Sequence, residues 1–317
     1  MHKTTVRRSG LTMPVVTPRF VDNAWRRGCD FIVIDLEDSV PQHLKAHART
    51  LVKEAIATVS KGGAEAFTRI NHDSAEPDLE GAVWPGQKRI KYPKTEHASE
   101  VRLLDEIITR LERERGITPG TIEIDCGIET ALGTTNVFEI AAASPRVKEF
   151  GASAGGYDYS RDLGVEMFVD YDQFGYGKGE AELAARTLGL GVRASPFVVN
   201  KTGSVSDSDR ALLMAEGTRK MGIRLGGGGL NPAVVEGHTV GLTPSAEEVR
   251  EAHAVIEDYR RLAASGDTWT EIEGRVIDRY AAAHARTTVE YAALCEARDK
   301  EKAAAVARVK AVQGAQK

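Results

Sequence analysis

Only three cysteines occur in 317 residues, and Cys29, Cys126 and Cys295 lie far apart with no paired spacing. Such a set excludes a zinc knuckle or a disulfide framework and leaves each cysteine as a small buried apolar residue. No apolar run approaches the roughly 20 residues that a bilayer-spanning helix needs. The basic start, Met1 to Arg8, is not followed by the apolar core of a signal peptide. A soluble, cytoplasmic protein with no membrane partner is expected. Nor does one sign of charge prevail: 42 basic residues face 46 acidic ones, a net of -4, which gives no reason to expect a nucleic-acid partner. A Gly-rich phosphate loop is also missing after the first apolar stretch, where Met13-Pro14-Val15-Val16-Thr17-Pro18 stands. That counts against a doubly wound nucleotide-binding sheet.

What the chain does contain is an apolar run that ends in acid, Phe31-Ile32-Val33-Ile34-Asp35-Leu36-Glu37-Asp38-Ser39-Val40-Pro41. Its Ile and Val residues read as a strand buried on both faces, as in a parallel sheet covered by helices. Seven further stretches have the same character: Leu11 to Val16, Glu65 to Asn71, Arg89 to Tyr92, Thr121 to Ile128, Val147 to Ala154, Arg193 to Val199 and Ile223 to Gly226. Helical periodicity separates them, most clearly over Gln42 to Ser60 and Ala98 to Arg115, whereas His72 to Lys88 reads as an irregular loop. Eight βα units in this length predict a TIM barrel, a (β/α)8 fold over residues 1–244. After Pro244 the sequence shows no strand: a helix begins with a near capping box at Ser245, a polar segment runs from Gly266 to Tyr280, and an Ala-rich charged helix follows. Residues 245–317 are expected to form a helical extension.

In a parallel α/β fold the carboxyl ends of the strands form the mouth where ligands bind. Collected there are Glu37 and Asp38, Arg69 and Asn71, Lys94, Glu129, and Asp158. Glu129 and Asp158 suit a hard cation such as Mg²⁺, which takes one or two carboxylates and completes its octahedron with water and substrate. Arg69 offers a planar fork for a carboxylate or phosphate. Each residue also has a structural reading. Glu37, Asp38 and Glu129 can serve as acids at helix N-termini, Asp158 can cap a turn, and Arg69 can neutralise Glu37 or Asp38. The four glycines Gly226 to Gly229 either present backbone N–H groups to an oxyanion or form a turn.

The order Arg7-Arg8-Ser9, Asp35-Leu36-Glu37-Asp38-Ser39-Val40, Arg69-Ile70-Asn71, Pro93-Lys94, Ile128-Glu129-Thr130 and Asp158-x-x-x-Asp162-Leu163-Gly164 resembles the citrate lyase β-subunit and malyl-CoA lyase group of the HpcH/HpaI aldolase family. The resemblance implies a TIM barrel with Mg²⁺ held by Glu129 and Asp158, and an oxoacid carboxylate held by Arg69 with Lys94 nearby. Glu37 and Asp38 would hold metal-bound waters. It further implies a homo-oligomer, trimer or hexamer, in which Gly274-Arg275-Val276-Ile277-Asp278 belongs to a lid and Asp278 transfers a proton. The alternative for Asp278 is an ion pair with Arg275 or Arg279. Departures from the family pattern occur at Val15, Tyr157, Arg224-Leu225 and Leu230-Asn231-Pro232, all near the expected coenzyme A site. The expected activity is carbon–carbon cleavage of a hydroxyacyl-CoA. An aldolase acting on free 2-oxo acids and a catalytically silent subunit are the alternatives.

Overall fold

The computed structural model of the chain describes residues 5–151, 157–166, 174–193 and 206–315. Two compact units are present: Met1–Leu242 together with Lys302–Lys317, and Thr243–Glu301. The first unit carries strands β1 (Gly10–Pro14), β2 (Phe31–Asp35), β3 (Glu65–Arg69), β4 (Gln87–Tyr92), β5 (Glu123–Cys126), β6 (Glu149–Phe150), β7 (Gly191–Val192) and β8 (Gly228–Gly229). Six of them form one curled sheet in the order β5-β4-β3-β2-β1-β8, and β6 pairs with β7. Every one of these pairings is parallel. Along the backbone the two sheets meet where Ile124 N donates to Arg146 O at 3.1 Å and where Arg193 forms an isolated parallel bridge with Leu225. The eight-stranded closed barrel expected from the sequence is thus seen, among the described residues, as a six-stranded curled sheet and a separate pair. Residues 152–154 and 194–199, expected to lengthen strands six and seven, lie outside the described residues.

Alternation along the strands divides the fold. On β2, Ile32 and Ile34 join the large apolar core, whereas Phe31 and Val33 form a separate small cluster with Phe67 of β3. Helix Lys45–Val59 buries Ala48, Val52, Ala55, Ile56 and Val59, one stripe at helical spacing that packs into that same core. The other face is ionic at its N-terminal end. Arg7 pairs with Glu65, Glu123 and Glu149, and Arg89 pairs with Glu123 and Glu149. The two guanidiniums lie 5.2 and 4.8 Å from the Phe67 ring centre, which gives their faces a partner while their edges hold carboxylates. Arg8 is likewise buried, paired with Asp30, and Lys302 donates to the same carboxylate at 2.6 Å.

Several elements differ from the sequence reading. Within the expected loop 72–88 lies a helix, Ala75–Ala82. Pro77 does not break it, because in the first turn a missing N–H has no helical acceptor to lose. Asp78 of this helix is fully buried, accepting from Asn71 N and Asn71 Nδ2 at 2.7 Å each and from Arg49 Nε at 2.6 Å. Asp158 sits in a helix, Tyr157–Leu163, where the sequence suggested no regular element. The glycine run is not a turn: Gly228 and Gly229 pair with Gly10 and Leu11. A Cβ at Gly226 would lie 1.9 Å from Arg8 O, and one at Gly228 2.8 Å from Thr12 Oγ1, so close strand approach explains those glycines.

The second unit also departs from expectation. Ser245 caps helix Ala246–Ser265 in a full capping box with Glu248, as the sequence suggested. The following segment, however, is a hairpin of β9 (Trp269–Ile272) and β10 (Arg275–Asp278), closed by Glu273 and Gly274. Both turn residues have positive φ, 52° and 76°, as a two-residue hairpin turn of this hand requires. Ile277 alone on β10 is buried, packed with Ala252, Val255 and Ala285. A long helix, Arg279–Ala315, follows.

Candidate active site

The strand ends of the first unit enclose a cavity of about 510 Å³. Asp38, Arg69, Glu129 and Asp158 line it, as do Asp35, Lys91, Asp125 and Arg193, which the sequence reading did not select. Glu37 and Lys94 are absent from its lining and stand behind it as an ion pair, Lys94 Nζ to Glu37 Oε1 at 2.6 Å. Lys94 also reaches Asp158 at 3.2 Å. Its backbone is held at φ 50°, a region that non-glycine residues enter rarely and chiefly where surrounding contacts fix them.

Asp35 organises one wall. Its buried carboxylate accepts from Arg69 Nε and Nη2 at 2.7 Å each, from Ser39 Oγ at 2.5 Å, and from the Glu37 and Ser39 backbone N–H groups. Burial pushes its pKa up, but Arg69 and these donors more than offset that, so the carboxyl is held below its ordinary value. The Arg69 fork is therefore turned onto Asp35. Its remaining edge meets Glu37 at 2.8 Å and the exposed Asp38 at 3.4 Å. The sequence alternatives for Arg69 named Glu37 and Asp38, and the stronger partner is the neighbour they omitted. Asn71 faces Leu36 O and Asp78 and fixes the chain behind this wall.

Glu129 is in the opposite state. Among the described residues its carboxylate makes no hydrogen bond or ion pair. Burial first, and then the negative charge of Glu37, push its pKa up to about 7. Its Oε1 lies 2.8 Å from where a Cβ on Gly127 would be, so the side chain folds back over that glycine into the cavity. The two carboxylates of Glu129 and Asp158 are hard oxygen donors of the kind Mg²⁺ takes, and the charge that raises Glu129 is the charge a cation would relieve. No group of three or more His, Cys, Asp or Glu residues arranged for a metal is present among the described residues.

A pH dependence follows, with its sign fixed by the raised pKa. In metal-free protein the folded state holds the Glu129 proton up to about pH 7, whereas an unfolded glutamate loses it near 4.5. The resulting stabilisation is complete below about pH 4.5 and is lost as pH rises through 7. We expect the unfolding free energy in chelator to fall by roughly 2–3 kcal/mol between pH 5 and 8 relative to Glu129→Gln, whose amide does not titrate. Parallel pH dependences of the two proteins in urea unfolding would remove Glu129 as the titrating group.

Deeper in the cavity, the alternation that places Arg89 opposite Glu123 places Lys91 opposite Asp125. Asp125 accepts from Lys91 and from Arg193. Burial opposes its ionisation, yet Arg193 and Lys91 hold its pKa far below the ordinary value. The sequence carried a signal for this layer. Arg89 and Lys91 alternate on one strand, Glu123 and Asp125 on the next, and charge at every second position of an otherwise buried strand marks an ionic interior. Asp278 is half-buried in the second unit, where it accepts from Tyr280 N at 2.9 Å and Ala281 N at 2.7 Å and so caps the long helix. The ion pairs suggested for it are not formed: Arg275 meets Glu251, and Arg279 donates to Tyr280. All three cysteines are buried, as their isolation in the sequence implied.

Comparison with known proteins gives the family. The HpcH/HpaI aldolase/citrate lyase family pattern matches residues 8–195. Citrate lyase subunit beta of Leuconostoc mesenteroides subsp. cremoris is 29% identical over 282 residues, covering 88% of this chain and 91% of that protein. L-malyl-CoA/beta-methylmalyl-CoA lyase of Cereibacter sphaeroides is 27% identical over 313 residues, covering 92% and 96%. Among solved structures, a citrate lyase from Burkholderia xenovorans LB400 superposes with a TM-score of 0.73 at 18% identity, covering 90% of this chain and 92% of that one. The CitE protein of Mycobacterium tuberculosis, in complex with magnesium, acetoacetate and coenzyme A, gives 0.67 at 20% identity, covering 91% and 99%. With the pattern matched over more than half of its length, this chain belongs to the HpcH/HpaI aldolase/citrate lyase family.

Proposed function

We propose that this protein is a Mg²⁺-dependent carbon–carbon lyase that cleaves a hydroxyacyl-CoA of the malyl-CoA or citryl-CoA kind into an oxoacid and an acyl-CoA. The observation that carries the proposal is the Glu129 carboxylate, unpaired among the described residues and raised to about 7, beside Asp158 in a cavity that also holds Arg69. Glu129 and Asp158 would hold the ion, and bound there Mg²⁺ would polarise the oxoacid carbonyl and fix its carboxylate. Arg69, immobilised by Asp35, would exchange its long contact with the exposed Asp38 for that carboxylate and so set the angle at which the carbon–carbon bond is presented. Lys94 orients Asp158, Asp38 on the cavity wall would accept from water at the ion, and Glu37, behind the wall, would do so by turning from Lys94 or Arg69. In this reading the two sheets close as an eight-stranded TIM barrel, and the protein works in the cytoplasm as a homo-oligomer, trimer or hexamer, whose second unit serves as a lid.

One observation favours the free 2-oxo acid alternative. Gly228 and Gly229 are engaged in strand pairing and Gly226 N donates to Arg7 O, which leaves fewer backbone N–H groups to receive a coenzyme A phosphate. Thermal melting separates the two readings. With Mg²⁺ and glyoxylate, pyruvate or oxaloacetate we expect an upward shift of about 2 °C or more, and a further shift on adding acetyl-CoA. A shift with oxoacid and none with the thioester would select the CoA-free aldolase. No shift with any oxoacid would end both readings.

Asp278 is proposed as the proton-transfer residue of the lid, reaching the cavity of a neighbouring copy. Its capping role makes the test clean, since asparagine caps a helix as well as aspartate. Asp278→Asn should keep its stability within about 0.5 kcal/mol and keep Mg²⁺ and oxoacid binding, yet lose turnover. Co-refolded with inactive Glu129→Gln chains, it should regain part of the activity. Full turnover in the single variant would end the assignment.

A further inference from the structure

The ionic interior holds a group that the proposed lyase reaction leaves unused. Arg193 lines the cavity with its side chain only 9% exposed, and its Nη2 donates to Asp125. Among the described residues its Nε–H is buried without a hydrogen-bond partner. A buried N–H left unmade costs about 1–3 kcal/mol, and on a guanidinium it is a donor of the charge-assisted kind that selects carboxylates. Lys91, which also lines the cavity, gives the same carboxylate of Asp125 a second base. This layer therefore sets two bases against one acid. One alternation lower, Arg7 and Arg89 face three acids, Glu65, Glu123 and Glu149, so the excess base lies on the cavity side.

The spacing fits one class of molecule. Asp125, Gly127 and Glu129 follow at alternate positions and all line the cavity. The Glu129 carboxylate folds back over Gly127, which brings it to about one alternation, roughly 7 Å, above the Asp125 layer. A four-carbon chain with a carboxylate at each end bridges such a gap. We infer that Arg193, supported by Lys91 and Asp125, is a specificity-determining subsite for a second carboxylate of the substrate, so that the oxoacid half is a dicarboxylate. This rests on the lyase reading for the position of the first carboxylate, at the Glu129 and Asp158 end.

Pyruvate and oxaloacetate test it, because they share the 2-oxo carboxylate and differ by one terminal carboxylate. Calorimetric titration of the full chain with each, in Mg²⁺, should show oxaloacetate binding at least tenfold tighter. In Arg193→Gln the ratio of the two affinities should collapse to near one, and in Arg193→Lys part of it should survive; ligand-free melting of each variant checks its fold. Equal affinities in the parent protein overturn the subsite without needing any variant, and leave the lyase reading intact so long as pyruvate binds. A parent that binds neither compound overturns both. A preference that persists undiminished in folded Arg193→Gln assigns the second carboxylate elsewhere and overturns the role of Arg193.

Discussion

Glu129→Gln and Asp158→Asn are each expected to lower turnover by at least about a thousandfold, the loss of roughly 4 kcal/mol of transition-state stabilisation. Neither substitution should disturb the fold. Glu129 makes no hydrogen bond or ion pair among the described residues, so its amide replacement strands no partner. By removing a buried acid pushed up to about 7, it should leave the metal-free protein at least as stable as the parent at pH 8. Asp158 pairs with Lys94 at 3.2 Å and with Arg161 at 3.5 Å. Lys94 keeps its shorter contact to Glu37. Mg²⁺ titration by calorimetry or by competition with a chelating dye should show binding weakened in both. Unchanged Mg²⁺ affinity in both variants would remove these two residues from the metal site whatever happened to turnover.

The largest stability effect is expected at Asp35. Asparagine there keeps the shape but turns an amide toward the Arg69 guanidinium and withdraws the charge that five donors converge on. Breaking one side of a buried ion pair costs about 3–5 kcal/mol, a sizeable part of a typical domain's stability. Because the folded pKa of Asp35 is depressed, its contribution is present above the unfolded value near 3.8 and is lost as pH falls through the folded one. The Asp35→Asn deficit should therefore be full at pH 7 and narrow in acid. Replacing Arg69 with methionine in the same chain should recover part of the loss, because no unpaired charge then remains. Denaturation of the four proteins of that cycle measures the coupling. A deficit below about 1 kcal/mol in the single variant would mean that Arg69 is held chiefly by Glu37 and Asp38.

Asp35 also shows where sequence reading stops. The run ending at Glu37 was legible as a strand because Ile and Val buried from two sides leave no other period, and the rim acids followed from where strands of a parallel sheet end. Asp35 belonged to the same eleven residues, yet sequence does not tell which of three neighbouring acids an arginine 34 positions later will grip. The ionic layers were readable in principle from alternating charge on β4 and β5, and were passed over because a buried strand was expected to be apolar. The loop expected over residues 72–88 and the turn that is one reading of the glycines after Leu225 both rest on residue type, although position decides. Proline costs little in a first helical turn, and glycine is what a strand needs where another backbone approaches within the reach of a Cβ. The hairpin before Asp278 was missed for a similar reason, its turn being Glu273-Gly274 without the Asn or Asp that usually marks it.

Lys302 bears on how the molecule is made. Its ammonium is 2.9 Å from Gly28 O and 2.6 Å from the buried Asp30, which itself holds Arg8. The acid at the base of β2 leaves the ribosome before the Lys302 ammonium, which follows some 270 residues later. At the synthesis rates of cells, about 5–20 residues per second, that interval is tens of seconds. Throughout it Asp30 holds Arg8 without the Lys302 ammonium, and Gly63, where a Cβ would lie 3.2 Å from Lys302 Cα, lacks that neighbour. The first unit therefore completes its packing only after translation has passed through the whole of the second.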